Sequence, residues 1–370
     1  MKKAFVLFIG CLLITACGQK TDKKTSEEPE TGPKEWLTFN AEANETKHVV
    51  LISGDEEYRS EEALPQLAKI LSTRHGFRCT VLFAQDSAAP GIINANYVKN
   101  IPGLDALNTA DVMVIFTRFR ALPDEQMQII NSYLKSGRPV IGIRTATHAF
   151  NFDSESKSNF KHYSNGYAGD KKEWADGFGR LVLGEKWISH HGHHKHQSTR
   201  GIVAETGKNH PITHGIEDGD IWGPTDVYGV RLPLPGDSEP IILGEVMERE
   251  GAFDKEDLFY GMRPTDSKAA TENDKGVKVN DILMPIAWTK SYQIPDGKKG
   301  KAFTSTIGSA SDMLNEGTRR LLVNSVFWSL DMSVPEKADV ELVGDFNPTA
   351  YEFRDDKYWL QKQLRVEDFD

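Results

Sequence analysis

Short apolar segments alternate with helical segments along the first half of this chain, and this alternation limits the fold more than any other feature. Four apolar runs have the length of a strand: residues 48–52, 78–83, 111–116 and 139–143. One helical stretch can be capped by Ser60 and ends before Gly76, and another opens at Pro123 and ends at Gly137. This order predicts an α/β fold with a parallel sheet and helices on both faces. The nearly continuous apolar strands fit burial on both sides.

The second half of the chain is less regular. Residues 284–289 and 302–307 are typical of strands, and residues 314–330 form an amphipathic helical pattern. A helix-like piece is expected around 174–183. We therefore expect one α/β domain over residues 46–335. A charged and aromatic C-terminal extension, residues 336–370, would follow it and wrap the domain.

The N-terminus has the form of a bacterial lipoprotein signal. Lys2 and Lys3 precede an apolar run, residues 4–14, that is too short to span a bilayer permanently. An Ile-Thr-Ala-Cys sequence then ends at Cys17, which matches a lipobox. The prediction is a signal peptide over residues 1–16 and lipidation of Cys17, so that the protein is anchored in the cell envelope, at the outer membrane or in the periplasm. The alternative is an ordinary cleaved signal in which the cysteine is incidental.

Amino-acid composition predicts a disordered segment near the N-terminus and limits the kinds of partner that the protein can bind. Residues 17–45 are rich in Lys, Glu, Thr, Ser and Pro, and this predicts a disordered tether. The net charge of −10 argues against nucleic-acid binding, which needs clustered Lys and Arg. The sequence leaves the oligomeric state open.

Cysteine usage excludes a disulfide framework and a thiolate zinc site. The chain has three cysteines; Cys11 lies in the signal peptide and Cys17 is the anchor, so Cys79 remains for the folded domain. Cys79 stands in an apolar strand and is expected to be a small core residue.

Ligands of parallel sheets bind beyond the carboxyl ends of the strands. The residues that follow the first, third and fourth predicted strands give these candidates: Glu57, Tyr58, Arg118, Arg144, Thr145 and His148. Arginines, carboxylates and hydroxyls at one rim suit a polyhydroxylated ligand, with or without an acidic group. The alternative is that the arginines pair with neighbouring glutamates and hold the loops.

The fourth strand end resembles a nucleophile elbow. Gly142 and Ala146 flank a tight strand-to-helix turn whose central residue is Arg144. An arginine cannot be a nucleophile, so acyl transfer at this elbow is not expected. Arg144 is instead a candidate to bind a carboxylate, sulfate or carbonyl oxygen.

A histidine-rich run covers residues 190–196. On an extended chain His190, His194 and His196 would face one way, and His191 and His193 the other. Histidines on one face can bind a divalent metal such as zinc together with a carboxylate, and His190 and His194 are the candidate ligands. General acid–base work by His191 or His194 is a further option. The alternative is a solvated loop.

A third group lies further along the chain. Asp226 precedes an aromatic residue and could reach the same rim, and Trp222 could face a ligand nearby. Turn chemistry is the alternative for this segment. If the strand ends converge as predicted, Glu57, Arg144, His148 and the histidine run surround one cleft.

An ordered set of motifs resembles the ThuA-like family, which is named for trehalose utilisation. The motifs lie between His48 and Met332, at residues 210–216, 226–228, 284–289 and 302–308. Residues 142–150 resemble a branch found in secreted proteins of sugar-degrading bacteria. The resemblance implies a flavodoxin-like sheet of the class I glutamine amidotransferase type without a working cysteine.

The resemblance also implies a role in sugar metabolism, including sugars oxidised to 3-keto forms. The chain departs from the family pattern at two places: Arg144 stands where many members have a histidine, and Gly308-Ser309 where many have Gly-His-Asp. A site built on those family histidines is therefore not expected.

Two main functions remain open. The first is an isomerase, lyase or hydrolase acting on a keto or acidic sugar, in which His191, His194 or Glu57 moves protons and Arg144 or a metal stabilises an oxyanion. The second is a non-catalytic glycan-binding lipoprotein, with tryptophans that stack on sugar rings: Trp174, Trp187 and Trp222. A structural partner in a glycan-uptake complex is a third.

The lipobox gives a direct test. Replacing Cys17 with Ala (Cys17→Ala) removes the thiol that forms the thioether, so metabolic labelling with a fatty-acid analogue should be lost. Labelling that persists in the variant would contradict the prediction.

Overall fold

The computed structural model describes residues 32–40 and 46–370, together with Met1. The predicted signal peptide from Lys2 onward, Cys17 and the tether up to residue 31 lie outside the described residues, as do residues 41–45. Within the described part, we find no helix with the length and apolar character needed to cross a bilayer.

Ten strands form one sheet. They are β1 (Trp36–Phe39), β2 (His48–Gly54), β3 (Arg78–Phe83), β4 (Val112–Thr117), β5 (Val140–Ile143), β6 (Gln197–Val203), β7 (Trp222–Gly223), β8 (Glu239–Glu248), β9 (Met284–Tyr292) and β10 (Gly300–Ser305). Their order across the sheet is β1-β3-β2-β4-β5-β10-β9-β8-β6-β7. All strands predicted from the apolar runs are present.

The sheet is mixed, which corrects the expectation of a parallel sheet. Strands β3, β2, β4, β5 and β10 are mutually parallel. Strands β9, β8, β6 and β7 extend this sheet in antiparallel pairs. The short connection between β9 and β10 leaves no room for a crossover helix, so these two strands pair antiparallel. The α/β class itself is confirmed.

Helices cover both faces of the parallel part. They are α1 (Ser60–His75), α2 (Asp124–Lys135) and α3 (Glu316–Ser329); a further helix, α4 (Asp356–Lys362), lies in the C-terminal extension. Alternate residues of β2 point to opposite faces: Val49 packs in the cluster that includes α1 and α3, and Val50 packs in the cluster that includes α2. Helix α1 ends before Gly76 as predicted, but the residue at its N-cap is Arg59 rather than Ser60. The helix-like piece expected around 174–183 is a 3₁₀ turn (Lys172–Trp174) followed by a π-helical segment (Gly179–Leu183).

The first strand lies inside the stretch predicted as a tether. β1 pairs antiparallel with β3, and Leu37 is fully buried between exposed neighbours. Four residues are too few for a periodic pattern, and the strand is stabilised by the open edge of β3, which the local sequence does not reveal. The tether prediction therefore extends too far toward the domain.

The C-terminal extension packs against the domain through buried aromatic and polar contacts. Tyr351 and Trp359 are buried. The Thr349 hydroxyl donates a hydrogen bond to Glu62 of α1 at 2.7 Å. Cys79 is a buried free thiol inside β3, which agrees with the expected core role.

The edge strand gives a stability test. Leu37→Ala should lower the free energy of unfolding by about 2–3 kcal/mol, since it removes a fully buried side chain. Thr38→Ala, at an exposed position of the same strand, is the matched control and should change it by less than about 0.5 kcal/mol. Chemical denaturation measures both. Equal effects of the two substitutions would mean that β1 contributes no core contact.

Candidate functional site

The carboxyl ends of β2, β4 and β5 lie at one edge of the sheet because these strands are parallel neighbours. The loop after β2 brings Glu57 and Tyr58 to this edge, and the elbow after β5 brings Arg144. Two later segments face them, one with the histidine run and one with Asp226. The predicted convergence of these segments is what the fold produces.

Arg144 lies beneath the site rather than at its surface. It adopts a left-handed backbone conformation (φ 47°), as a tight elbow requires, and it is fully buried. Its guanidinium donates hydrogen bonds to the carbonyls of Asp226 (2.8 Å) and Thr306 (2.5 Å) and to Tyr58 Oη (3.1 Å). The group lies 3.9 Å from the ring centre of Tyr228. Protein groups surround its charge here, and contact of Arg144 with a ligand oxygen stays a prediction.

Asp226 is the centre of the site. Its fully buried carboxylate forms an ion pair with Arg144 at 3.1 Å. It also accepts hydrogen bonds from Nδ1 of His190 (2.8 Å) and Nδ1 of His194 (3.0 Å). Burial alone would raise the pKa of Asp226, but the two histidines and Arg144 hold it well below its usual range. One ionised carboxylate thus orients both imidazoles.

His194 lies between two carboxylates. Its Nδ1 faces Asp226, and its Nε2 lies 3.2 Å from Oε1 of Glu57. Burial lowers the pKa of His194, but the hydrogen bonds and charges of the two carboxylates outweigh this and raise it to about 9. His194 is therefore an imidazolium at neutral pH.

The loop that carries Glu57 is held by a buried carboxyl group. Asp55 accepts hydrogen bonds from the backbone N–H of Glu57 (2.8 Å) and of Tyr58. The Thr145 hydroxyl donates to the other oxygen of Asp55 at 2.5 Å. Burial, together with the charge of Glu56, raises the pKa of Asp55 to about 6. Thr145, expected to bind substrate, instead fixes this loop to the elbow.

His148 forms an aromatic wall beside the histidine pair. It is buried, and its ring lies 5.0 Å from Phe119 and 5.6 Å from Trp187. Burial lowers the pKa of His148 well below its ordinary value, and the charge of Arg118 adds to this. Trp187 lies 5.7 Å from the ring of His190 and joins the wall to the pair.

The side chains of the other histidines in residues 190–196 do not contact Asp226. The Nε2 of His191 donates a hydrogen bond to the carbonyl of Val279 at 2.9 Å, so this side chain ties the run to a distant loop. His193 and His196 stack on each other at 4.1 Å between ring centres. The expected alternation of faces is wrong for His196 because the chain turns here instead of running extended, with Lys195 in a left-handed conformation.

Two further candidates have mainly structural contacts. Trp222 is buried against Phe259 in the core, away from the histidine pair. Arg118 pairs with Glu56, and its guanidinium lies between the rings of Phe119 and Phe353. Its side chain keeps 21% of its surface exposed, so Arg118 stays at the rim.

Sequence reasoning missed Tyr351 of the C-terminal extension. Its ring stacks on Tyr58 at 5.3 Å and meets His194 edge-on at 5.4 Å. The aromatic character of the extension was the available signal, but no local pattern links residue 351 to strand ends almost 300 positions away.

The donor atoms at this centre can also hold a metal ion. Ring nitrogens of His190 and His194 and a carboxylate oxygen of Asp226 lie within 4.8 Å of one another. Two imidazoles and a carboxylate are a donor set that zinc uses in catalytic sites.

Comparison with known proteins gives distant structural similarity. No protein-family model matches the chain, and no curated protein matches its sequence. A protein of Parabacteroides merdae, provisionally described as ThuA-like, is 14% identical with a TM-score of 0.43, covering 84% of this chain and 98% of its own. A second protein with this description, from Bacteroides uniformis, is 12% identical with a TM-score of 0.38, covering 78% and 93%.

A third similar structure is an exo-β-1,4-mannosidase from Opitutaceae bacterium strain TAV5. It is 9% identical with a TM-score of 0.29, covering 77% of this chain and 36% of the mannosidase. The first two neighbours carry the family description that the sequence motifs resemble. At these TM-scores, function has to be inferred from the site itself.

The paired carboxylates give a prediction for His194. Glu57→Gln removes one charge beside the ring, so the pKa of His194 should fall from about 9 toward its ordinary value of 6.5. NMR titration of the imidazole signals measures this shift, with His75, on another part of the surface, as the internal reference.

The same shift affects stability. Because the pKa of His194 is raised on folding, its contribution is fully present below pH 6.5 and is lost as the pH rises through about 9. The wild-type protein should lose more stability than Glu57→Gln over this interval. An unchanged His194 titration in the variant would show that Glu57 does not control it.

Proposed function

We propose that this protein is an enzyme of carbohydrate utilisation that acts on an oxidised (keto) or acidic sugar or glycoside, as an isomerase, lyase or hydrolase. The observation that carries the proposal is that one buried carboxylate, Asp226, holds both His190 and His194 through their Nδ1 atoms. A loop that merely faces solvent has no need of such a built arrangement.

The two imidazoles are set up for opposite roles. His190 donates its Nδ1–H to Asp226, which leaves the lone pair of Nε2 free to accept a proton. Within residues 32–40 and 46–370 this Nε2 has no hydrogen-bond partner. Both nitrogens of His194 face carboxylates, an arrangement suited to a doubly protonated ring. A base and an acid whose ring centres are 4.6 Å apart thus lie side by side.

This pair suits chemistry next to a carbonyl group. Removing a proton from the carbon beside a carbonyl requires a base there and a proton donor at the carbonyl oxygen. His190 would take the proton, and His194 would donate its Nε2 proton, exchanging its contact with Glu57 for one with the substrate oxygen. Trp187, partly exposed beside His190, offers a flat face for a sugar ring.

The sugar class and the finer fold type rest on the resemblance to ThuA-like proteins. We infer a flavodoxin-like arrangement of the glutamine amidotransferase type. It is supported by the order of the parallel strands across the sheet, β3-β2-β4-β5-β10. When these five strands are numbered by their position in the chain, this order is 2-1-3-4-5, as in flavodoxin-like folds. The elbow residue is Arg144 and the thiol of Cys79 is buried in β3, so we propose no cysteine-dependent transfer.

A divalent metal such as zinc is the second candidate for the acidic role. It is favoured by the close grouping of His190, His194 and Asp226. When bound there, a metal ion would supply Lewis-acid polarisation of a substrate oxygen.

We further propose that the enzyme works in the cell envelope, tethered to a membrane through lipidated Cys17. Its partners would then be a glycan or small sugar and the membrane, and not nucleic acid. A lipid-anchored position is consistent with an enzyme that meets sugars before uptake.

The test is turnover of a panel of keto- and uronic-type glycosides, followed by NMR, with metal analysis of the same purified protein. His190→Asn and His194→Asn should each lower turnover by about 100-fold or more. The matched control is His193→Asn, in the same loop but outside the pair, which should keep wild-type turnover.

The outcomes separate the alternatives. Loss of turnover on chelation, together with stoichiometric metal, supports the metal-assisted form. Binding of glycosides without turnover would instead favour the glycan-binding lipoprotein. Equal turnover in both pair variants and the wild type would contradict the proposed site.

A further inference from the structure

We propose that Tyr351, in the C-terminal extension, is a positioning residue that holds His194 against Glu57, so that the extension is part of the site. The proposal rests on the proposed role of His194. It concerns a segment that the sequence separates from the predicted domain.

The ring of Tyr351 fills the space behind His194. It is fully buried, stacks on Tyr58 with an angle of 26° between the rings, and meets the His194 ring edge-on at 67°. Its hydroxyl donates a hydrogen bond to the carbonyl of Pro224 at 3.0 Å, just before the segment that carries Asp226. One side chain therefore contacts three of the segments that build the site.

Glu352, the next residue, contacts the loop after β2 through its backbone and the histidine run through its charge. The N–H of Glu352 donates a hydrogen bond to the carbonyl of Glu57 at 2.9 Å. The carboxylate of Glu352 lies 3.8 Å from Nζ of Lys195, which directly follows His194. The extension thus fastens the loop after β2 and the histidine run to each other from outside the sheet.

This fastening matters because the histidine run has little regular structure of its own. His194 lies in a turn, and Lys195 has a left-handed backbone conformation. The His194 side chain is still 25% exposed, so its contacts with two carboxylates depend on what packs behind the ring. A side chain without the aromatic ring at residue 351 would leave a gap there, and His194 could turn toward solvent.

The test measures the reactivity of His194 directly. Diethyl pyrocarbonate modifies accessible, unprotonated histidines, and mass spectrometry resolves the rate at each residue. In Tyr351→Leu, the rate at His194 should rise several-fold, while the rate at His210, on a distant part of the fold, should not change. Tyr351→Phe keeps the ring and should restore most of the protection.

The matched control is Leu360→Ala, an exposed position of the same extension, which should leave the His194 rate at the wild-type value. If Tyr351→Leu fails to fold, the buried His148 will react as fast as His194, and Tyr351→Met, which keeps apolar volume without a ring, is then read in its place. An unchanged His194 rate in the folded variant overturns the proposal.

The readout is independent of catalysis. Where turnover is found, loss of positioning should lower kcat much more than it changes KM. Absence of turnover in the wild type would count against the proposed function, whereas the modification rates would still decide the role of Tyr351.

Discussion

The buried ion pair between Arg144 and Asp226 is the constraint on which the rest of the site depends. Both side chains are fully buried, and an unpaired charge at either position would cost several kcal/mol. The pair can form only when the elbow after β5 and the segment around Asp226 meet beneath the sheet edge. Since Asp226 also binds His190 and His194, the same contact docks the histidine run. The contact that buries this ion pair therefore also positions the two histidines of the site.

The charges around this pair give the nearby histidines different properties. At His194 the carboxylates of Asp226 and Glu57 outweigh burial and raise the pKa. At His148 burial dominates, and the positive charges of Arg118 and Arg144 add to it, so the pKa falls. A charged imidazole and a neutral one thus lie on either side of Trp187 and His190. The environment of each ring thus sets its protonation state, although the rings lie close together.

Segments on either side of the predicted domain contribute to the described structure. β1 covers the edge of β3, and the C-terminal extension covers the back of the histidine pair. Their own sequences predict a flexible tether and an appended segment, because they are polar or too short for a periodic pattern. Each segment is ordered by a surface of the main domain. β1 pairs with the edge of β3, and Tyr351 of the extension packs on the rings of Tyr58 and His194.

The sequence by itself determined the α/β class, the strands and helices around the first half of the sheet, and the set of loops that meet at the site. Parallel strands must end at a common edge, so Glu57, Tyr58 and Arg144 could be grouped without coordinates. Only the tertiary structure decided that Arg144 points inward and that the side chains of His191 and His196 lie outside the site. It also decided that the sheet becomes antiparallel beyond β10 and that Tyr351 belongs to the site. The direction of a side chain in a turn depends on backbone conformation and on partners distant in sequence, and neither is encoded in local spacing.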